Sequence, residues 1–318
     1  MQDVVQEELA ASLKGRDFLM VGDYTPQEIR YLIDLAIDLK RKQKSGEAYQ
    51  PLAGKTLGMI FEKSSTRTRV SFEVGIYQLG GQGLFLSGND LQIGRGEPIL
   101  DTAQVLSRYL DGIMIRTFAH RNVVELARGA TIPVINGLSD LSHPCQAMAD
   151  YQTILEHKGT FEGVKLAYVG DGNNVVHSLM MGAAKLGVDI SIATPEGYEP
   201  DASLVQQSKD YAKETGAKIH ICRDPKEAVA EADFIYSDVW ASMGQEAEQK
   251  ERELAFADYQ VNEALVKYAK QDYKFLHCLP AHRGEEVSEG VIDGKHSIIF
   301  DQAENRLHAQ KAIMAAIM

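Results

Sequence analysis

Ser64-Ser65-Thr66-Arg67-Thr68-Arg69 lies between an apolar run and an amphipathic one, and this junction decides the fold. The run before it, Leu57-Gly58-Met59-Ile60-Phe61, reads as a buried strand. After it, Val70, Val74 and Tyr77 recur at i, i+4 and i+7, and so do Phe72, Ile76 and Leu79, before Gly80-Gly81 stops the pattern. That spacing predicts a largely buried helix with a broad apolar face. A strand, a polar turn and a helix N-terminus together make an anion site, because free N–H groups and the positive end of the helix dipole face the turn. Hydroxyls and two guanidiniums add donors matched to phosphate. The plainer reading is an N-cap followed by surface arginines. Two arginines interleaved with threonines, straight after a buried strand, favour phosphate binding.

At 318 residues the chain is long enough for two domains. Its 44% apolar and 25% charged residues are ordinary for a globular protein. With 33 Lys plus Arg against 45 Asp plus Glu, the net charge is −12 and no basic tract stands out. Nucleic acid and acidic membranes are therefore poor partners, and an anionic ligand needs a local cationic site. Cys145, Cys222 and Cys278 are too few for a disulfide framework or zinc knuckle and suit a reduced cytoplasm. The N-terminus is acidic, without a signal-peptide pattern, and no apolar run reaches membrane-spanning length.

Thr25-Pro26-Gln27-Glu28 predicts a capping box opening a helix, with a polar loop over 40–50. Further strands are expected at 84–86, 112–117, 133–136, 165–169, 190–193, 234–237, 273–278 and 297–300. Helices are expected over 99–110, 121–128, 144–157, 174–186 and from Gln302 to the end, and Asp224-Pro225-Lys226-Glu227 reads as a second capping box. Strands alternating with helices imply parallel α/β sheets, whose ligands bind beyond the carboxyl ends of the strands. Ser64–Arg69, Arg116-Thr117 and Asn136–Gln146 fall there.

Gly170-x-Gly172 hints at a dinucleotide turn, but position 175 is Val and Thr194 stands where an acid would hold a ribose. Asn173 and Asn174 read either as turn residues or as amides facing a ligand. His143 opens a helix as a cap or as a catalytic group, and Cys145 beside it reads as an inert buried thiol. His277 and Cys278 are neighbours on a strand and point to opposite faces, which argues against a thiol hydrolase. Asp238 ends a strand, either as a loop residue or as an anchor for an amino group.

Together these stretches resemble the aspartate/ornithine carbamoyltransferase family. Ser65-Thr66-Arg67-Thr68-Arg69 is similar to its STRTR signature, and His143-Pro144-Cys145-Gln146 to its HPxQ element. Asp238-Val239-Trp240-x-Ser242-Met243-Gly244 and His277-Cys278-Leu279-Pro280 resemble the ornithine branch. The resemblance implies two doubly wound parallel-sheet α/β domains, with a carbamoyl-phosphate-binding domain over 1–150 and an ornithine-binding Rossmann-like domain over 151–300. It also implies a C-terminal helix, 301–318, returning to the first domain. By the same resemblance, Ser65, Thr66, Arg67 and Thr68 hold phosphate and Gln92 serves a neighbouring subunit's site. Thr68, Arg116 and His143 surround the carbamoyl oxygen, with Gln146, Cys278, Leu279 and Arg306 completing the site. Asn174, Asp238, Ser242 and Met243 take ornithine, and catalysis falls to Arg116, His143, Asp238 and Cys278. The implied activity is carbamoyl transfer from carbamoyl phosphate to the ornithine δ-amine, with no metal or redox cofactor, in a cytoplasmic homotrimer or multiple of trimers with shared sites. Putrescine or another amine is the alternative acceptor; a dehydrogenase and a non-catalytic amino-acid-binding module are the readings from other classes.

Overall fold

The computed structural model describes residues 2–88, 91, 96–242 and 246–318, without the side chains of 2–6 and 246. The expected site residues Gln92 and Met243 lie outside the described residues. The strands are β1 (Thr56–Phe61), β2 (Gln82–Ser87), β3 (Gly112–Arg116), β4 (Val134–Leu138), β5 (Lys165–Val169), β6 (Asp189–Ala193), β7 (Ile219–Cys222), β8 (Phe234–Ser237) and β9 (Lys274–His277). The helices are α1 (Gln2–Leu13), α2 (Pro26–Lys44), α3 (Thr66–Gln78), α4 (Ile99–Leu106), α5 (His120–Gly129), α6 (Pro144–Lys158), α7 (Asn174–Leu186), α8 (Ala202–Thr215), α9 (Pro225–Val229), α10 (Gln249–Ala255), α11 (Glu289–Ile292) and α12 (Ile299–Ile317).

The chain divides into two units: Met1–Gln152 with Asn305–Met318, and Thr153–Glu304. The first carries a parallel sheet in the order β2-β1-β3-β4, the second a parallel sheet in the order β7-β6-β5-β8-β9. Both are α/β and doubly wound, as the alternation of elements predicts. Their central strands are buried along nearly their whole length, which is why they read as continuous apolar runs. In each sheet the chain order reverses once, between β1 and β3 and between β5 and β8. Those are the switch points where such sheets open at their carboxyl ends.

The last part of α12 belongs to the first unit, where Ala312 packs with Ala36 and Leu39 of α2. Lys14 donates to the Ala315 carbonyl and Lys311 to the Gln78 amide oxygen, each through its ammonium. The expected return of the C-terminal helix is thus present.

Several local expectations need correction. Helix α2 continues through Lys44 rather than ending at 40, since Arg41, Lys42 and Lys44 suit the negative end of its dipole. Its capping box forms as read, with Thr25 and Glu28 exchanging bonds. The second box is half made: Asp224 accepts from the Lys226 N–H, but Glu227 turns to His220 instead. Helix α4 ends at Leu106, four residues early. Residues 297–300 are not a strand; Ser297 makes a single bridge to Phe275 before α12 begins at Ile299. Helix α3 buries Phe72, Ile76 and Leu79, but Val70 and Tyr77 are 53% and 76% exposed, so only one of its two apolar stripes is covered. Strand β7 and helices α1 and α8 carry no motif that singled them out.

Candidate active site

In the first unit, polar groups gather at the ends of β1 and β3. Ser65 caps α3, its hydroxyl oxygen accepting from the Thr68 N–H at 3.2 Å. The N–H groups of Thr66 and Arg67 in the first turn have no intrahelical partners by geometry. The two arginines of the turn have different fates. Arg69 lies 3.8 Å over the Phe85 ring and bonds Glu73, while Arg67 makes no ion pair among the described residues.

Arg116 ends β3, and a bulge sets its direction. Ile115 pairs with Asn136 but Arg116 pairs with Leu138, so Gly137 is the extra residue. A Cβ at Gly137 would meet the Met114 sulfur at 2.6 Å, so a larger residue there would require the Met114 side chain to move. Bulges of this kind redirect side chains beside functional sites. Arg116 is buried and donates through Nη1 to the Thr68 hydroxyl at 3.5 Å. The same hydroxyl accepts from Arg306 Nη2 at 3.1 Å, and Arg306 Nη1 donates to Gln146 Oε1 at 2.8 Å. Thr68 thus joins two buried guanidiniums delivered by β3 and α12.

His143 precedes α6 and is also buried. Burial first, then the charges of Arg306, Arg116, Lys63 and Arg67, hold its pKa well below the usual histidine value. It is therefore neutral at pH 7 and offers one N–H without adding to the positive charge. Burial pushes the Cys145 thiol up to about 12, and its sulfur donates to the Asn136 carbonyl, so it is the inert thiol expected.

In the second unit, the ends of β5, β8 and β9 converge. Asn173 caps α7, its Oδ1 accepting from the N–H groups of Val175 and Val176. Its Nδ2 donates to Asp238 Oδ2 at 2.7 Å. The other Asp238 oxygen accepts from the Val239 N–H and, at 3.0 Å, from the Cys278 thiol. Asn174, the expected ligand, is the first residue of α7, and Ser242 follows Asp238 on the loop after β8. Asn173 therefore caps a helix and orients a carboxylate, a role that neither the turn reading nor the ligand reading of the pair names.

His277 supports Leu279 rather than Cys278. Its Nδ1 accepts from the Leu279 N–H at 2.9 Å, and its Nε2 bonds buried Glu286 at 3.0 Å. Leu279 is held there at φ 58°, left-handed backbone that needs such support. Asp238, His277 and Cys278 have potential metal-ligand atoms within 4.8 Å of one another. Both ring nitrogens of His277 are already engaged, however, which leaves only a carboxylate and a thiol for an ion.

Gly172 explains the glycine-rich turn. A Cβ there would lie 2.2 Å from the Glu199 carbonyl carbon, and its N–H donates to the Tyr198 carbonyl. The close approach a dinucleotide would require is taken by the chain's own backbone. Sequence reasoning also missed Arg252. It is buried, bonds the Trp240 carbonyl at 2.9 Å and Asp171 at 3.1 Å, and so ties the Trp240 end of the loop to the β5 turn. Nothing in the spacing of 171 and 252 signals that pair.

A family model described as aspartate/ornithine carbamoyltransferase, carbamoyl-P binding domain, matches residues 16–156. Another, the Asp/Orn binding domain of the same family, matches residues 162–317. The chain is 64% identical over 306 residues to an ornithine carbamoyltransferase of Anoxybacillus flavithermus, covering 96% of this chain and 98% of that one. The structure of ornithine carbamoyltransferase from Pyrococcus furiosus superposes with a TM-score of 0.94 at 59% identity, covering 96% and 98% of the two chains. That from Giardia lamblia gives 0.86 at 33% identity, covering 95% and 97%.

Proposed function

The chain belongs to the aspartate/ornithine carbamoyltransferase family, and from that premise we propose that it transfers the carbamoyl group of carbamoyl phosphate to the δ-amine of L-ornithine, giving L-citrulline and phosphate. The observation that carries this reading is the Thr68 hydroxyl shared by the buried guanidiniums of Arg116 and Arg306.

The roles follow from the donors available. Ser65, Thr66, Arg67 and Thr68 take the phosphate with the N-terminus of α3. The ornithine amine, with a pKa of ~10.4 like lysine, is neutral in only roughly four molecules in ten thousand at pH 7 and must shed its proton to attack. Its nitrogen bonds to the carbonyl carbon and the carbonyl π pair moves to oxygen. Arg116, Thr68 and neutral His143 donate to that oxyanion. The oxyanion then re-forms the carbonyl, the attacking nitrogen gives its extra proton to the departing phosphate oxygen, and the C–O bond to phosphate breaks with its electron pair leaving on phosphate. Gln146 Oε1 and the Leu279 carbonyl accept from the carbamoyl nitrogen, and Arg306 and Cys278 complete the site. Asp238 receives the α-amino group of ornithine, with Asn174, Ser242 and Met243 around the amino acid; Gln92 acts in a neighbouring subunit. These roles match the residues' donor and acceptor chemistry.

We further infer a cytoplasmic homo-oligomer built on a trimer. The uncovered Val70 and Tyr77 stripe on α3 supports a protein partner for that face. Among the described residues no helix is long and apolar enough to cross a membrane. The deciding experiment is product formation from carbamoyl phosphate with ornithine, N-acetylornithine, putrescine, lysine and aspartate. Citrulline from ornithine, with little product elsewhere, is expected. Preference for putrescine would remove the role given to Asp238, and no product from any amine would leave a binding protein.

A further inference from the structure

Gln146 is held by two groups of opposite hydrogen-bonding character. Arg306 Nη1 donates to its Oε1 at 2.8 Å, while its Nε2 donates to Asp150 Oδ1, also at 2.8 Å. Gln146, Asp150 and Arg306 are 1%, 0% and 4% exposed, so water does not compete for these bonds. Asp150 stands one turn further along α6, the i+4 position that faces Gln146. A glutamine amide is nearly symmetric in shape and can present either end. A guanidinium only donates and a carboxylate accepts, so one orientation alone satisfies both neighbours.

The two neighbours are not equivalent once an anion arrives. Arg306 is a phosphate-type donor, and on the proposed function its guanidinium turns partly to carbamoyl phosphate. Asp150 is an acceptor and has no attraction to that ligand. We propose that Asp150 is the positioning residue for the carbamoyl group: it holds the Gln146 amide by its nitrogen, so that Oε1 still faces the carbamoyl NH2 while Arg306 is shared with the substrate. This rests on the carbamoyl phosphate reading above. On that reading Asp150 touches no substrate and acts on it through Gln146.

A double-mutant cycle tests it, using the full-length wild-type protein, Gln146→Ala, Asp150→Ala and the double variant. Carbamoyl phosphate affinity is measured by calorimetry, and KM for both substrates by citrulline formation. With Gln146 present, Asp150→Ala should weaken carbamoyl phosphate binding about tenfold, the scale of one buried charge-assisted bond. With Ala at 146 the same change should cost about twofold or less, because nothing remains to position. The KM for ornithine should stay within about twofold in every variant. If Asp150→Ala does not fold, Asp150→Asn keeps the shape with a weaker acceptor and should show the same pattern at roughly threefold. An equal loss in both backgrounds, or a parallel rise in ornithine KM, overturns the proposal. A wild-type protein that neither binds carbamoyl phosphate nor makes citrulline overturns the functional reading and this proposal with it. Normal wild-type behaviour with additive losses removes Asp150 alone.

Discussion

The first unit places buried donors at the switch point of its sheet: Arg116 and Arg306 gathered about Thr68, with His143 held neutral by burial and by their charges. The second unit places a carboxylate at the equivalent point, with Asp238 accepting from an amide, a backbone N–H and a thiol. Both sheets are parallel and both sites lie beyond strand ends, so the architecture is shared and the polarity is opposite. The fold therefore supplies a location, and the residues at the strand ends set whether it presents donors or acceptors.

The most severe attempt to break this contrast is Arg116→Ala. Losing one oxyanion donor should lower kcat by about 10²–10³. A loss below about tenfold in a folded variant would contradict the role given to the donor-rich unit.

The ammonium side is probed by pH. Because the attacking amine must be neutral, kcat/KM for ornithine should rise about a hundredfold between pH 6 and 8. A flat profile would mean that amine deprotonation does not limit attack.

Asp238→Asn then sharpens the division of labour. It should lower kcat/KM for ornithine about tenfold and leave carbamoyl phosphate affinity within about twofold. Equal damage to both substrates would blur the two polarities into one site-wide effect.

The smallest expected effect is on stability, and here the two units have opposite signs. The native pKa of His143 is depressed, so below about 6.5 the unfolded chain binds a proton that the native state refuses, and stability falls as pH falls. Asp171 is pushed up to about 6, mainly by burial against the opposing pull of Arg252. It therefore takes up its proton in the native state first, and its contribution is lost as pH rises through that value. His143→Asn should reduce the drop in Tm between pH 7 and 5 by roughly 2–4 °C, read by calorimetry. An unchanged drop would show that His143 is not the group resisting protonation.

The sequence made much of this contrast legible, and unevenly so. The strand, turn and helix around Ser65–Thr68 could be read because apolar period changes on either side of one polar turn. The same periodicity misjudged Val70 and Tyr77, since an apolar stripe does not say whether this chain covers it. Arg67 and Arg69 look alike in sequence; only the placement of Glu73 and Phe85 separates them. Asn173 and Asn174 were indistinguishable until helix α7 fixed which of them caps it. Asp150 stands at the helical i+4 spacing from Gln146, whereas Arg252 carries no signal for Asp171, a partner chosen by packing rather than by spacing.

The path of α12 has a consequence for how the protein is made. Residues 153–304 complete the second unit before residues 305–318, which belong to the first, are synthesised. The first-encoded unit therefore cannot be completed until the end of the chain is made, which departs from the usual N-terminal-first order. Until Arg306 emerges, Thr68 and Gln146 lack the guanidinium that joins them. Translation thus supplies the last member of the donor cluster at its very end, and a chain truncated before 305 would lack the Arg306 guanidinium that joins Thr68 and Gln146.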